Sequence, residues 1–145
     1  MTSGVHAGKA SDAKDRFNRA TRVISAIVSS WHAAGGDPKP TLAEIVASSV
    51  DAAERLRDVL RHSSHTEFTP EDLTRRLSHF LAEDARVPAA LQAFGSADAR
   101  LLGEVALASQ AGADDALGNQ IPETRALART ALEAGAFASS SFGAG

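Results

Sequence analysis

The C-terminal residues have the types and spacing that most suggest chemistry. Three consecutive serines (residues 139–141) are followed by Phe142 and then by Gly143, Ala144 and Gly145. Glycine allows a close approach of the backbone, and successive backbone N–H groups in such a turn can bind an anion. The segment therefore predicts either an anion-binding turn or a turn against a neighbouring loop. Since both roles need protein on either side of the turn, we expect the sequence to be part of a larger enzyme.

Two further patterns are weaker candidates for catalysis. The serines do not match the Gly-x-Ser-x-Gly nucleophile elbow, so we expect them in a small-residue strand packed against a neighbouring loop. Residues 4–9 look like a phosphate-binding P-loop. They place three residues between the first glycine and Gly-Lys, and Ala10 stands where the P-loop needs Ser or Thr. We therefore exclude a P-loop.

The remaining titratable side chains predict no metal or acid–base site. His62 and His65, with His79 further along the chain, could suggest a metal site. His62 and His65 lie among serines without a carboxylate at a matching spacing, which favours a solvated surface over a zinc site. The acid pairs at residues 83–84 and 114–115 fall on expected helices, where adjacent side chains point in different directions, so we expect solvated faces. Basic residues alternate with acids and lack an aromatic platform, which argues against nucleic-acid binding.

Composition limits the class of protein. The sequence has 145 residues, a formal net charge of −3 and no cysteine. This length suits one domain, and the lack of cysteine excludes disulfides and thiolate catalysis and fits a reducing cytoplasm. Residues 1–20 lack the apolar run of a signal peptide, and no stretch approaches the roughly 20 apolar residues that span a bilayer. We therefore expect a soluble, cytoplasmic protein without a membrane partner.

The elements that must position these residues are mainly helices. Alanine is abundant, and apolar residues recur every three to four positions over residues 11–135. Helix starts are predicted at the capping box of Thr41 and Glu44, at Thr69 before Pro70, at Ser96 and at Pro122. Helix ends are predicted at Gly35 with Gly36 and at Gly135. Pro88 predicts a kink or break near Arg86.

The domain is expected to have three parts. Residues 1–10 are predicted to form an entry strand or loop, residues 11–135 the helical region, and residues 136–145 a strand and the start of a glycine motif. A lone strand leaves its edges unpaired. We therefore expect the sheet that pairs with residues 136–142 to be missing or incomplete in this chain.

Three stretches in a consistent order, covering nearly the whole chain, resemble the galactokinase branch of the kinases that group galactokinase, homoserine kinase, mevalonate kinase and phosphomevalonate kinase. The first comprises residues 3–9 and 15–19, and is similar to the strand end and helix that enter the second half of such kinases. The second comprises residues 83–90, 102–104 and 109–110, and is similar to the family's helical pair.

The third stretch comprises residues 122–124, 135–137 and 142–145, and is similar to the start of the family's third, glycine-rich motif. The family's sugar-recognising first motif, its ATP-loop second motif and its catalytic aspartate would all precede the stretch that matches residues 3–5. The closing glycines of the third motif would follow Gly145. The resemblance therefore places the catalytic residues outside these 145 residues, and we expect this chain alone to be inactive.

The resemblance implies the mainly helical part of the α+β C-terminal domain of a kinase that uses ATP and Mg²⁺. Such a kinase transfers the γ-phosphoryl group to a hydroxyl of galactose or a related hexose. Gly143, Ala144 and Gly145 would lie on the nucleotide-phosphate side, and Phe17 would border the sugar. At the position of Phe17, many galactokinases carry a tyrosine whose hydroxyl could reach the sugar. Phenylalanine has no hydroxyl, so this contact cannot be carried over to Phe17.

Other interpretations stay open at this point. The chain could be a stand-alone helical interaction module without catalysis, or part of a kinase for another sugar, such as a uronic acid or a heptose. It could be cut out of a longer protein or encoded by a truncated gene. We also expect an exposed apolar face where the missing sheet should lie, which would favour association such as homodimerisation.

Overall fold

The computed structural model describes residues 12–118 and 120–140, and this part of the chain is mainly α-helical. Its helices are α1 (Asp12–Ala33), α2 (Leu42–Val46), α3 (Ala52–Arg61), α4 (Pro70–Gly95), α5 (Ala99–Ala116) and α6 (Pro122–Glu133). The chain divides into two compact units. We name the units by their order along the sequence. The inner unit is Asn18–Ser78, and the outer unit combines the two flanking segments, Met1–Phe17 and His79–Gly145.

The inner unit has an apolar core drawn from every one of its helices. The largest fully buried side chains are aliphatic and recur every three to four residues along a helix, as the sequence spacing predicts. They are Ile27, Ile45, Leu56, Leu60, Leu73 and Leu77. Trp31 and Phe68 add aromatic surface and are 2% and 3% exposed. Burial of these side chains is the main stabilising contribution to this unit.

Two predicted helix starts are confirmed by their hydrogen bonds. The backbone N–H of Glu44 donates to Thr41 Oγ1 at 3.2 Å, and the Thr41 hydroxyl donates to Glu44 Oε2 at 2.6 Å. Before α4, Thr69 Oγ1 accepts the N–H of Asp72 at 3.2 Å, and Pro70 is the first helical residue. Both caps satisfy N–H groups that a helix leaves unpaired at its start.

The predicted helix start at Ser96 is wrong. The backbone N–H of Ser96 donates to the carbonyl of Gln92 at 2.9 Å, so Ser96 still belongs to the last turn of the preceding helix. The N-cap of α5 is Asp98, whose carboxylate accepts the N–H of Leu101 at 2.9 Å. The N-cap of α5 therefore lies at Asp98 and not at Ser96.

No break occurs at Pro88, because α4 runs without interruption from Pro70 to Gly95. Proline removes one N–H, which leaves the carbonyl of Asp84 without its helical donor. Asp84 is exposed, so water can solvate that carbonyl while the turns on either side keep their own bonds.

Four helices are followed by a left-handed residue, two positions after the last helical residue. These residues are Gly35 after α1, Ala97 after α4, Gly118 after α5 and Gly135 after α6, with φ of 79°, 52°, 62° and 94°. After α1, α4 and α6, the N–H of the next residue bonds back to a carbonyl five residues earlier, at distances of 2.9–3.0 Å. This is the Schellman motif, which normally has glycine at the left-handed position. Ala97 is the exception.

Trp31 explains the paired glycines after α1. Its Nε1 donates to the carbonyl of Asp37 at 3.1 Å, which satisfies the one polar group of the buried ring. The backbone of Gly36 lies so close to the ring that a Cβ there would be 2.2 Å from Trp31 Cε2. The Arg55 guanidinium lies over the ring, 5.1 Å from its centroid. Gly35 therefore ends the helix, whereas Gly36 makes room for the tryptophan.

The outer unit is packed differently. Among its described residues only Ala93 and Gly103 are buried, and no residue of α6 is. Large apolar side chains remain exposed instead, including Val87, Leu91 and Phe94 along one side of α4. Helices usually bury such a stripe against another element.

The strand predicted for residues 136–142 is not formed over residues 136–140, which have no regular secondary structure. Residues 141 and 142 lie outside the described residues, as do residues 1–10. A strand needs a hydrogen-bonding partner, and the described residues contain no other strand with which this segment could pair.

Candidate functional site

Two sets of predicted site residues fall at the limits of the described chain. The backbone of Phe17 lies in α1, but its side chain is outside the described residues. Gly143, Ala144 and Gly145 also lie outside them. The predicted roles of these four residues at the sugar and the phosphates therefore stay predictions.

A cluster of polar side chains joins α4 to α5. We call His79, Glu83, Arg86 and Ser109 the α4–α5 polar cluster. The Ser109 hydroxyl donates to Glu83 Oε2 at 3.0 Å, although the two residues are 26 positions apart. Arg86 donates to the other carboxylate oxygen, Glu83 Oε1, in an ion pair. His79 Nε2 lies 3.9 Å from the same oxygen, and the His79 side chain is only 8% exposed.

The arrangement of the cluster favours a structural role over catalysis. In a serine–histidine–acid triad the serine donates to the histidine, which acts as the base. Here the Ser109 hydroxyl donates to the carboxylate itself. The same carboxyl group also accepts a hydrogen bond from Arg86. The cluster therefore ties two helices together and does not activate a nucleophile.

The prediction that both acid pairs form solvated faces is correct for only half of their members. Asp84 and Asp115 are exposed. Glu83 belongs to the polar cluster, and Asp114 accepts from Arg125 Nε at 3.3 Å. Adjacent helical residues point in different directions, so one acid of each pair faces a neighbouring element while the other faces solvent.

The sequence did not point to His79 as a member of this cluster, or to Gly112 as its neighbour. A Cβ on Gly112 would lie 3.5 Å from Arg86 Nη1 and 3.7 Å from His79 Cδ2, so α5 approaches α4 through a glycine here. The spacing of four between His79 and Glu83, and of three between Glu83 and Arg86, is a helical ion-pair pattern that could have identified the cluster. The contact with Gly112 has no comparable local signal.

The segment after α6 is anchored at two points. A Cβ on Gly103 of α5 would lie 3.0 Å from the ring carbon Phe137 Cδ2 and 3.3 Å from the Phe137 carbonyl oxygen. Further along, the Ser139 hydroxyl donates to the carbonyl of Ala128 in α6 at 2.6 Å. Ser139 is therefore a structural donor to α6, whereas the sequence predicted a strand packed against a loop.

The two loop histidines contact their own neighbourhood. His62 Nδ1 lies 2.9 Å from the carbonyl of Asp58. His65 stacks on Phe68 with ring centroids 5.3 Å apart, and its Nδ1 accepts the N–H of Glu67 at 3.1 Å. Within residues 12–118 and 120–140, no group of three or more His, Cys, Asp or Glu side chains could hold a metal ion.

One open groove on the inner unit has about 470 Å³ and is lined in part by Arg61 and Arg75. Two arginines in a groove would suit an anion, but each forms an ion pair on its own helix, with Asp58 and Asp72 respectively. Glu71 lines the groove as well. The acids offset the positive charge, so the groove is not an electrostatic anion site.

Comparison with protein-family models, with curated proteins and with solved structures finds no match for this chain. Among the helices of the described residues, none combines the length and the apolar character that crossing a bilayer requires.

Proposed function

We propose that this chain is the mainly helical C-terminal portion of a galactokinase-like sugar kinase. The observation that best supports the proposal is that residues of the second and third resembling stretches lie in contact. Ser109 donates to Glu83 within the second stretch. Gly103 of the second stretch lies against Phe137 of the third.

The poorly buried outer unit gives independent support. In an α+β domain, the helices cover one face of a sheet with their apolar sides. The exposed side chains Val87, Leu91 and Phe94 suit such a helical layer whose sheet is supplied by other parts of the enzyme. In the same proposal, residues 136–142 form a strand when that sheet pairs with them.

ATP would supply the phosphoryl group, and Mg²⁺ would neutralise phosphate charge during its transfer. The backbone N–H groups of Gly143, Ala144 and Gly145 would bind phosphate oxygens, since glycine permits close backbone approach. Phe17 would border the sugar by apolar contact, because its ring has no hydrogen-bond donor. No residue of the described chain is assigned the role of catalytic base.

Phosphoryl transfer depends on positioning and on electrostatic stabilisation, which the assigned residues alone do not provide. We therefore expect the purified chain to show no ATP-dependent phosphorylation of galactose, a uronic acid or a heptose in a coupled ADP-release assay. Activity above the no-enzyme control would contradict the assignment of the catalytic groups to other parts of the enzyme.

The decisive test of the family is the coding sequence directly upstream in frame. We expect it to encode a glycine- and serine-rich ATP loop and a catalytic aspartate. The full-length product should phosphorylate one of the three sugar classes, and that sugar should raise its melting temperature, because a ligand that binds the native state stabilises it. A full-length protein without such a loop or any ATP-dependent activity would overturn the proposal.

A second candidate is a helical interaction module without catalysis. The observation that favours it is the inner unit, whose core is complete enough to form a domain. An in-frame upstream sequence without the ATP loop would favour this module over the kinase.

A further inference from the structure

We draw no further inference here: the strongest candidate, the exposed apolar stripe of Val87, Leu91 and Phe94 on α4, belongs to the proposal already made, and nothing else in the structure shows what covers it.

Discussion

At the scale of single residues, Gly36 is the position where a small change should cost most. Alanine at Gly36 would place its Cβ 2.2 Å from Trp31 Cε2, inside a buried contact that cannot open freely. We expect Gly36→Ala to lower the free energy of unfolding by about 3 kcal/mol, the upper end of the usual cost of overpacking. Urea denaturation followed by tryptophan fluorescence would measure the loss, since Trp31 is the single tryptophan.

Gly35→Ala is the matched control. Gly35 has φ of 79° but no atom within 4 Å of a Cβ, so alanine there meets backbone strain without a clash. Its expected cost is about 1–2 kcal/mol. Equal losses for the two variants would show that the tryptophan contact does not explain Gly36.

A second prediction concerns the acid at the start of α3. The Ser49 hydroxyl donates to Asp51 Oδ1 at 2.6 Å and is the largest cause of a lowered Asp51 pKa, with smaller contributions from a backbone hydrogen bond and Arg55. Because folding lowers this pKa, the associated stability is present above the unfolded-state pKa and is lost as the pH falls through the folded value.

We expect Ser49→Ala to raise the Asp51 pKa toward its ordinary value, as measured by NMR titration of the carboxyl carbon. The control is Ser48→Ala, since the Ser48 hydroxyl donates to the carbonyl of Ile45 and not to Asp51. An Asp51 pKa that is unchanged in Ser49→Ala would refute the assigned cause.

At the scale of elements, the three similar helix ends allow a direct comparison. Ala97 holds the left-handed position after α4 with φ of 52°, whereas Gly135 holds it after α6 with φ of 94°. A side chain in this conformation costs about 1 kcal/mol. We expect Ala97→Gly to raise the melting temperature of the protein, as followed by its helical signal, and Gly135→Ala to lower it.

Circular dichroism at the helix minimum would follow both variants. Opposite shifts are the expected outcome, because the two substitutions exchange alanine and glycine at equivalent positions of one motif. A lower melting temperature for Ala97→Gly would mean that the gain in backbone freedom of the unfolded chain exceeds the strain relieved.

The elements also show how far local sequence signals reach. The caps at Thr41 and Thr69 and the glycine ends were predictable, because each involves groups within a few residues of one another. The start of α5 was not, because Ser96 and Asp98 are both good caps and the hydrogen bond from Ser96 to Gln92 decided between them. That α4 continues through Pro88 was likewise not predictable from the proline alone.

At the scale of the whole molecule, the two units differ in how much apolar surface they bury. Among the described residues, the inner unit contains all of the largest fully buried side chains, while the outer unit leaves Val87, Leu91 and Phe94 exposed. Burial of apolar surface is the dominant stabilising term, and small domains depend on it most.

We therefore expect a fragment of residues 18–78 to fold alone and to unfold cooperatively on heating. A fragment of residues 79–145 should give a broad transition and bind a hydrophobic dye. Calorimetry and dye fluorescence on both fragments would test this contrast. Cooperative unfolding of the second fragment as a monomer would show that residues 79–145 need neither residues 1–17 nor an additional partner.

The sequence by itself determined the helices, since their periodicity, caps and glycine ends are local and depend on neighbouring residues alone. It also singled out the stretches that resemble a kinase. Only the tertiary structure decided which side chains of those stretches meet, such as Ser109 with Glu83 and Phe137 with Gly103. It also decided that residues 136–140 form no strand here. The physical reason is that a contact between distant residues, like the pairing of a strand, requires a partner whose position no local pattern records.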